Sequence, residues 1–206
     1  MTSEKDEIVK WIAGLADPDP LTREVSALRI YLAGGVPYSF AISKWFTDAE
    51  FRELARPFPL SPQGQPDPSK EPYTVGVAVK PETFERIHAA FGSPRLAEVP
   101  PDQDAKEFEL RFANAGHFDI LTTREPGGPG AIARFLEKFG EGIQQIEVNV
   151  ADIDRATEIL RTRFGVAPIY PATRPGADGT RVNFFLVPAP NGARVLIELV
   201  EPAAKK

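Results

Sequence analysis

The chain has 206 residues, with 24 Lys and Arg against 29 Asp and Glu, no Cys and two His. The missing Cys excludes disulfides, zinc knuckles, iron–sulfur clusters and thiol nucleophiles, and two His cannot build a three-imidazole metal centre within one chain. A net charge of −5 argues against a nucleic-acid partner, which needs a basic stripe to neutralise phosphates.

Residues 1–56 read as a helical extension. The stretch 1–15 carries Glu4, Lys5, Asp6 and Glu7 and lacks the basic start and apolar core of a secretory leader. The least polar stretch, 27–42, is broken by Arg29, Gly34, Gly35 and Pro37, so no membrane span is expected and the cytoplasm is the expected location. Ile8, Trp11, Ile12 and Leu15 recur at helical spacing. Asp19-Pro20 supplies an N-cap and a first-turn proline for a second helix carrying Val25, Leu28 and Leu32, with Gly34-Gly35 as its stop. Thr47-x-x-Glu50 reads as a capping box before a third helix with Phe51 and Leu54 on one face. These apolar faces require a partner surface, either the main domain or a second subunit, so a homodimer is one use for them.

Six prolines, at 57, 59, 62, 66, 68 and 72, exclude helix and central strand from residues 57–72 and mark a linker. Residues 73–202 contain an internal duplication, with modules at about 73–125 and 142–202. One copy opens on TVGVAV (74–79), the other on QIEVNV (145–150). Each strand leads into a helix that ends on Phe-Gly, at 91–92 and 164–165. Three strand-like stretches follow in each copy, at 95–99, 106–112 and 117–122, and at 166–170, 181–187 and 194–200. The unit is β-α-β-β-β, twice, and the fold class is α+β.

Strand side chains alternate between faces. Val75, Val77 and Val79 oppose Thr74, Gly76 and Ala78. Ile146, Val148 and Val150 oppose Gln145, Glu147 and Asn149. The aliphatic faces suit helix packing, and the small or polar faces suit a wetter surface. On the closing strands His117, Asp119 and Leu121 share a face, as do Leu196 and Glu198. Glu198 lies within ARVLIELV, an almost wholly apolar run. A carboxylate there is costly unless paired, hydrogen-bonded, protonated or bound to metal; the other reading is a solvated Glu on a one-sided sheet.

The strings FLEKFGEGIQQIEVNV (135–150), RPGADGTRVNFF (174–185) and VLIELVEP (195–202) resemble the vicinal oxygen chelate superfamily, and within it the methylmalonyl-CoA epimerase branch. The resemblance covers 73–202. It implies paired β-α-β-β-β modules whose mixed sheet curls into a cup, with one metal ligand from each of four strands. Carried over by motif, the four positions are Thr74, Asp119, Gln145 and Glu198. The epimerases usually place His at the Thr74 and Gln145 positions. The remaining set is all oxygen or amide, which suits Mg²⁺, Mn²⁺ or Ca²⁺ better than Zn²⁺. The expectation is therefore no metal, or a weakly held divalent ion on Asp119, Gln145 and Glu198.

The chemistry the resemblance implies is proton abstraction next to a carbonyl by an isomerase or lyase acting on a small carbonyl or carboxylate substrate. Glu198 and Asp119 form the expected acid/base pair, and Gln145 orients. Asp104 is the nearest match to a further epimerase acid. Thr74, Glu147, Asn149 and His117 are expected to touch substrate, as is Arg174; Arg181 flanks the same loop. Two alternatives stand beside this reading. One is a non-catalytic small-molecule binder of the resistance-protein kind, and the other is a metal-dependent epimerase-like enzyme with oxygen ligands.

Overall fold

The computed structural model describes residues 4–55, 73–112, 116–188 and 194–203; the proline-rich stretch at 57–72 lies outside them. The chain divides into two compact units, one of residues 1–34 with 75–144 and one of residues 35–74 with 145–206. Each contains one copy of the duplication and one part of the helical extension. The class is α+β with strands of mixed direction. No helix among the described residues is long and apolar enough to cross a membrane.

In the first unit, α1 (Glu4–Gly14) is followed by the larger part of α2, a helix over Pro20–Ile42 whose residues from Gly35 on belong to the second unit. The Asp19 carboxylate accepts from the backbone N–H groups of Leu21 and Thr22, the expected cap. The buried face of α2 is Ser26, Ala27, Ile30 and Tyr31, however, and not Val25, Leu28 and Leu32. The reason is close approach: a Cβ on Gly14 of α1 would strike the Ser26 hydroxyl, so small residues bring α1 onto that side of α2. Nor do Gly34-Gly35 end the helix. A Cβ at Gly35 would collide with the Tyr73 hydroxyl, so this glycine clears space rather than breaking the helix.

The duplicated element of this unit is β1 (Thr74–Ala78), α4 (Pro81–Ala90), β2 (Ala105–Phe112) and β3 (Gly116–Thr123), followed by α5 (Ala131–Phe139). The order is β2-β3-β1. As expected, α4 ends on Phe91 with Gly92 in the left-handed region at φ 73°, where a side chain would be strained. The stretch 95–99 is not a strand. Ala97 donates to the Glu107 carbonyl at 2.9 Å, but prolines at 94, 100 and 101 keep the pairing from extending. The apolar centre is aromatic: Tyr31 of α2 meets Phe118 of β3 edge-on at 6.2 Å between ring centroids, and Phe112 lies 5.5 Å from Phe118. Both faces of β1 are buried, so Thr74, Gly76 and Ala78 do not line a wet surface.

In the second unit the duplicated element is β4 (Gly142–Asn149), α6 (Ile153–Arg163), β5 (Arg174–Pro175), β6 (Arg181–Pro188) and β7 (Arg194–Glu201), with order β4-β7-β6-β5. β4 runs parallel to β7, and β6 antiparallel to it. Again the stretch 166–170 is not a strand: Pro168 and Pro171 reduce it to a bridge from Pro168 to Phe185 and one bond from Ile169 N–H to the Phe184 carbonyl. Gly165, at φ 67°, ends α6 as predicted.

Helix α3 (Ala49–Leu54) packs in this unit. Its N-cap is Asp48, one residue later than the Thr47 box: the carboxylate accepts from Glu50 N–H and Phe51 N–H at 3.0 Å each, while the Thr47 hydroxyl turns back to the Lys44 carbonyl. Trp45 contacts Phe51 edge-on at 5.7 Å and Phe185 of β6 at 6.3 Å. All three are fully buried, and each Phe contributes roughly 1.5–3 kcal/mol by leaving water. Arg155 and Arg163 of α6 grip Glu50 at 2.5 Å each, and Arg163 also reaches Asp48 at 2.7 Å.

Candidate active site

β4 and β7 are the strands that matter. Their parallel register sets Ile146 beside Ile197 and Glu147 beside Glu198. The aliphatic pair faces the core, with Ile197 fully buried, so alternation turns both glutamates to the other side. Gln145, two residues before Glu147, shares their face. Its side-chain amide donates to Glu147 at 3.0 Å and to Glu198. Gln145 and Glu198 are both 8% exposed, which decides between the two sequence readings of Glu198: it is covered and hydrogen-bonded, not solvated. Asn149 follows on the same face at intermediate exposure.

One amide therefore holds two neighbouring carboxylates. Like charges this close repel, and a carboxylate out of water needs donors. Gln145 supplies neutral ones. The arrangement places two acids side by side under one shared donor.

On the antiparallel pair β2–β3, Glu109 faces Asp119 and Arg111 faces His117. Glu109 accepts from Arg111 at 3.0 and 3.2 Å and lies 3.2 Å from His117 Nδ1. The His117 hydrogen bond, then the Arg111 guanidinium, hold the Glu109 carboxyl down at about 2. Sequence reasoning missed Glu109 because its partner is fixed by hairpin register, not by spacing along the chain. Asp119 sits beside this cluster at intermediate exposure.

The other predicted residues are tied more locally. Asp104, at φ 48°, accepts from the Thr123 hydroxyl at 2.9 Å and shapes the turn around Gly130. Arg174 lies over the Tyr170 ring at 4.7 Å. Arg181 is held by Asp154 at 2.5 Å and Glu201 at 3.2 Å. Thr74 is buried at the start of β1. His88 stacks on Phe84 and meets the Pro94 carbonyl at 2.7 Å, which makes it structural.

No family model matches the sequence, and no curated protein matches it. Solved structures do. A substituted methylmalonyl-CoA epimerase from Streptomyces coelicolor, in complex with 2-nitronate-propionyl-CoA, is 28% identical at a TM-score of 0.51, covering 65% of this chain and 94% of that one. A methylmalonyl-CoA epimerase in complex with methylmalonyl-CoA and NH4+ is 29% identical at a TM-score of 0.50, covering 64% and 93%. A hypothetical protein from Bacillus halodurans C-125 is 26% identical at a TM-score of 0.51, covering 65% and 94%. The chain belongs to the vicinal oxygen chelate superfamily. Its match to the epimerases spans nearly their whole length, while about a third of this chain lies outside the match. In this chain the matching segment carries Gln145. Its amide binds the neighbouring acids.

The donor chemistry does not fit an imidazole-held transition metal. Both His are engaged elsewhere: His88 with Pro94, His117 with Glu109. What Glu147 and Glu198 offer is carboxylate oxygen, the donor type that suits a hard divalent cation, while Gln145 turns its amide N–H groups to them.

Proposed function

We propose that the protein is an isomerase that removes and returns a proton next to a carbonyl in a small carboxylate or thioester substrate. The observation that carries this reading is Glu198, a covered carboxylate in an apolar strand, held by Gln145. Likeness to epimerases solved with methylmalonyl-CoA and a nitronate analogue supports the substrate class.

Glu198 is the base. Its carboxylate takes the proton from the carbon next to the carbonyl, and the electron pair of that C–H bond moves onto the carbonyl oxygen to form an enolate. Hydrogen-bond donors stabilise that oxygen, as dipoles do wherever charge develops in a dry site. A second acid returns a proton to the same carbon. Gln145 keeps Glu198 oriented, and Glu147 lies beside the base as a neighbouring acid. No step passes through a transition metal. A hard cation bound by oxygen ligands would supply Lewis-acid stabilisation of the enolate, and elemental analysis of purified protein separates the two versions.

The test is solvent exchange. Methylmalonyl-CoA incubated with the protein in D2O gains deuterium at the α-carbon if the reading is right, and Glu198→Gln stops it. Ligand binding with no exchange at any pH supports instead a sequestering protein, for which the covered base has no use.

A further inference from the structure

We infer that the second unit seats an apolar branch of the substrate beside Glu198, and that Phe184 and Leu186 select a branch longer than methyl; this rests on the proposed role of Glu198 as base. Strand register divides the face that bears Glu198. On the β4 side lie Gln145, Glu147 and Asn149, all polar. On the β6 side Phe184 stands directly across from Glu198, and Leu186 across from Leu196. Alternation puts these four on the one face. A substrate over Glu198 therefore meets amides and acids on β4 and hydrocarbon on β6.

Phe184 is held close to the base. Its N–H donates to the Asn183 side-chain carbonyl at 3.0 Å, and its C=O accepts from Ile169 N–H at 2.7 Å. Its backbone polar groups thus turn away from β7. Phe184 and Glu198 then form a pair without backbone bonds between them, the kind in which side chains approach most closely. Tyr170 braces the ring edge-on at 6.0 Å. Leu186, by contrast, is 41% exposed, whereas Phe185 and Val187 on the other face of β6 are fully covered. Two residues of strand carry Leu186 about 6.8 Å from Phe184. A methyl on the reacting carbon covers the Phe184 ring and leaves Leu186 in water. A butyl branch spans both and takes apolar surface of each out of water. A carboxylate or hydroxyl on the end of that branch would lose its water with no donor side chain on this face of β6 to replace it. The substrate class is therefore an acyl thioester with a plain hydrocarbon branch on the carbon next to the carbonyl.

The experiment is calorimetric binding of two analogues to the full chain: the 2-nitronates of propionyl-CoA and hexanoyl-CoA, which carry a methyl and a butyl branch. The butyl analogue should bind about tenfold tighter or more. Leu186→Ser should bring the ratio near unity with unchanged circular dichroism, and Leu186→Met, apolar and of similar volume, should preserve it. In D2O, butylmalonyl-CoA should likewise exceed methylmalonyl-CoA in kcat/KM for exchange at the α-carbon. Equal binding of the two analogues, or tighter binding of the methyl one, overturns the proposal while exchange in D2O leaves the isomerase standing. A butyl preference that survives Leu186→Ser also overturns it. A butyl preference that Leu186→Ser erases, found with no exchange into either thioester, upholds the seat and overturns the isomerase alone. If neither analogue binds, both fall.

Discussion

Glu147 and Glu198 stand side by side on adjacent parallel strands, and the Gln145 amide donates to both. Removing that amide takes the shared donor from the covered Glu198 and its half-buried neighbour Glu147. Gln145→Leu should cost about 1.5–3 kcal/mol of stability, the worth of a hydrogen bond to a charged group, read as a lower urea midpoint. Glu147→Gln removes the like charge while keeping an acceptor, and should raise stability by about 0.2–1 kcal/mol.

Replacing the base separates chemistry from folding. Glu198→Gln preserves shape and hydrogen bonding, so the urea midpoint should hold while deuterium exchange into methylmalonyl-CoA falls about 10²–10⁴-fold. Exchange that survives intact removes Glu198 from the mechanism.

Acid sensitivity follows from Glu109. Its carboxyl is held at about 2 against an ordinary 4.5, first by His117 and then by Arg111. The folded value lies below the unfolded one, so this group's contribution is fully present above about 4.5 and is lost as pH falls through about 2. Its side chain is 43% exposed, so solvent screens part of the gain. Glu109→Gln should flatten the dependence of the urea midpoint on pH between about 4.5 and 2.

The collision at Gly35 can be measured directly. Gly35→Ala adds a Cβ against the Tyr73 hydroxyl and should destabilise by about 1–3 kcal/mol, opposed by roughly 1 kcal/mol of improved helix propensity. Adding Tyr73→Phe removes the hydroxyl and should recover most of the loss. Thermal melts of the two single variants and the double variant give the coupling.

The two modules were legible in the sequence because their signals are local: alternating aliphatics, then a helix closed by Phe-Gly. Glu198 was legible as a lone acid in an apolar strand. Its bond to Gln145 and its place beside Glu147 depend on a parallel register between segments some fifty residues apart, which no local pattern encodes. The same holds for Glu109 and His117 across their hairpin. On α2 periodicity identified an aliphatic stripe but could not say which side met the core, since Ala27, Ile30 and Tyr31 form a rival face. The strands expected at 95–99 and 166–170 failed on prolines that alternation alone does not weigh.

The helical extension is divided between the two units, with Tyr31 on Phe118 and Trp45 on Phe185. During synthesis Trp45 leaves the ribosome well before Phe185 is made. Trp45 is thus committed to a partner that does not yet exist. Until β6 and β7 are made, the nascent chain must hold an exposed aromatic face in solution, where contacts of such high sequence separation form slowly and invite aggregation. Trp45 is translated long before the strand that buries it.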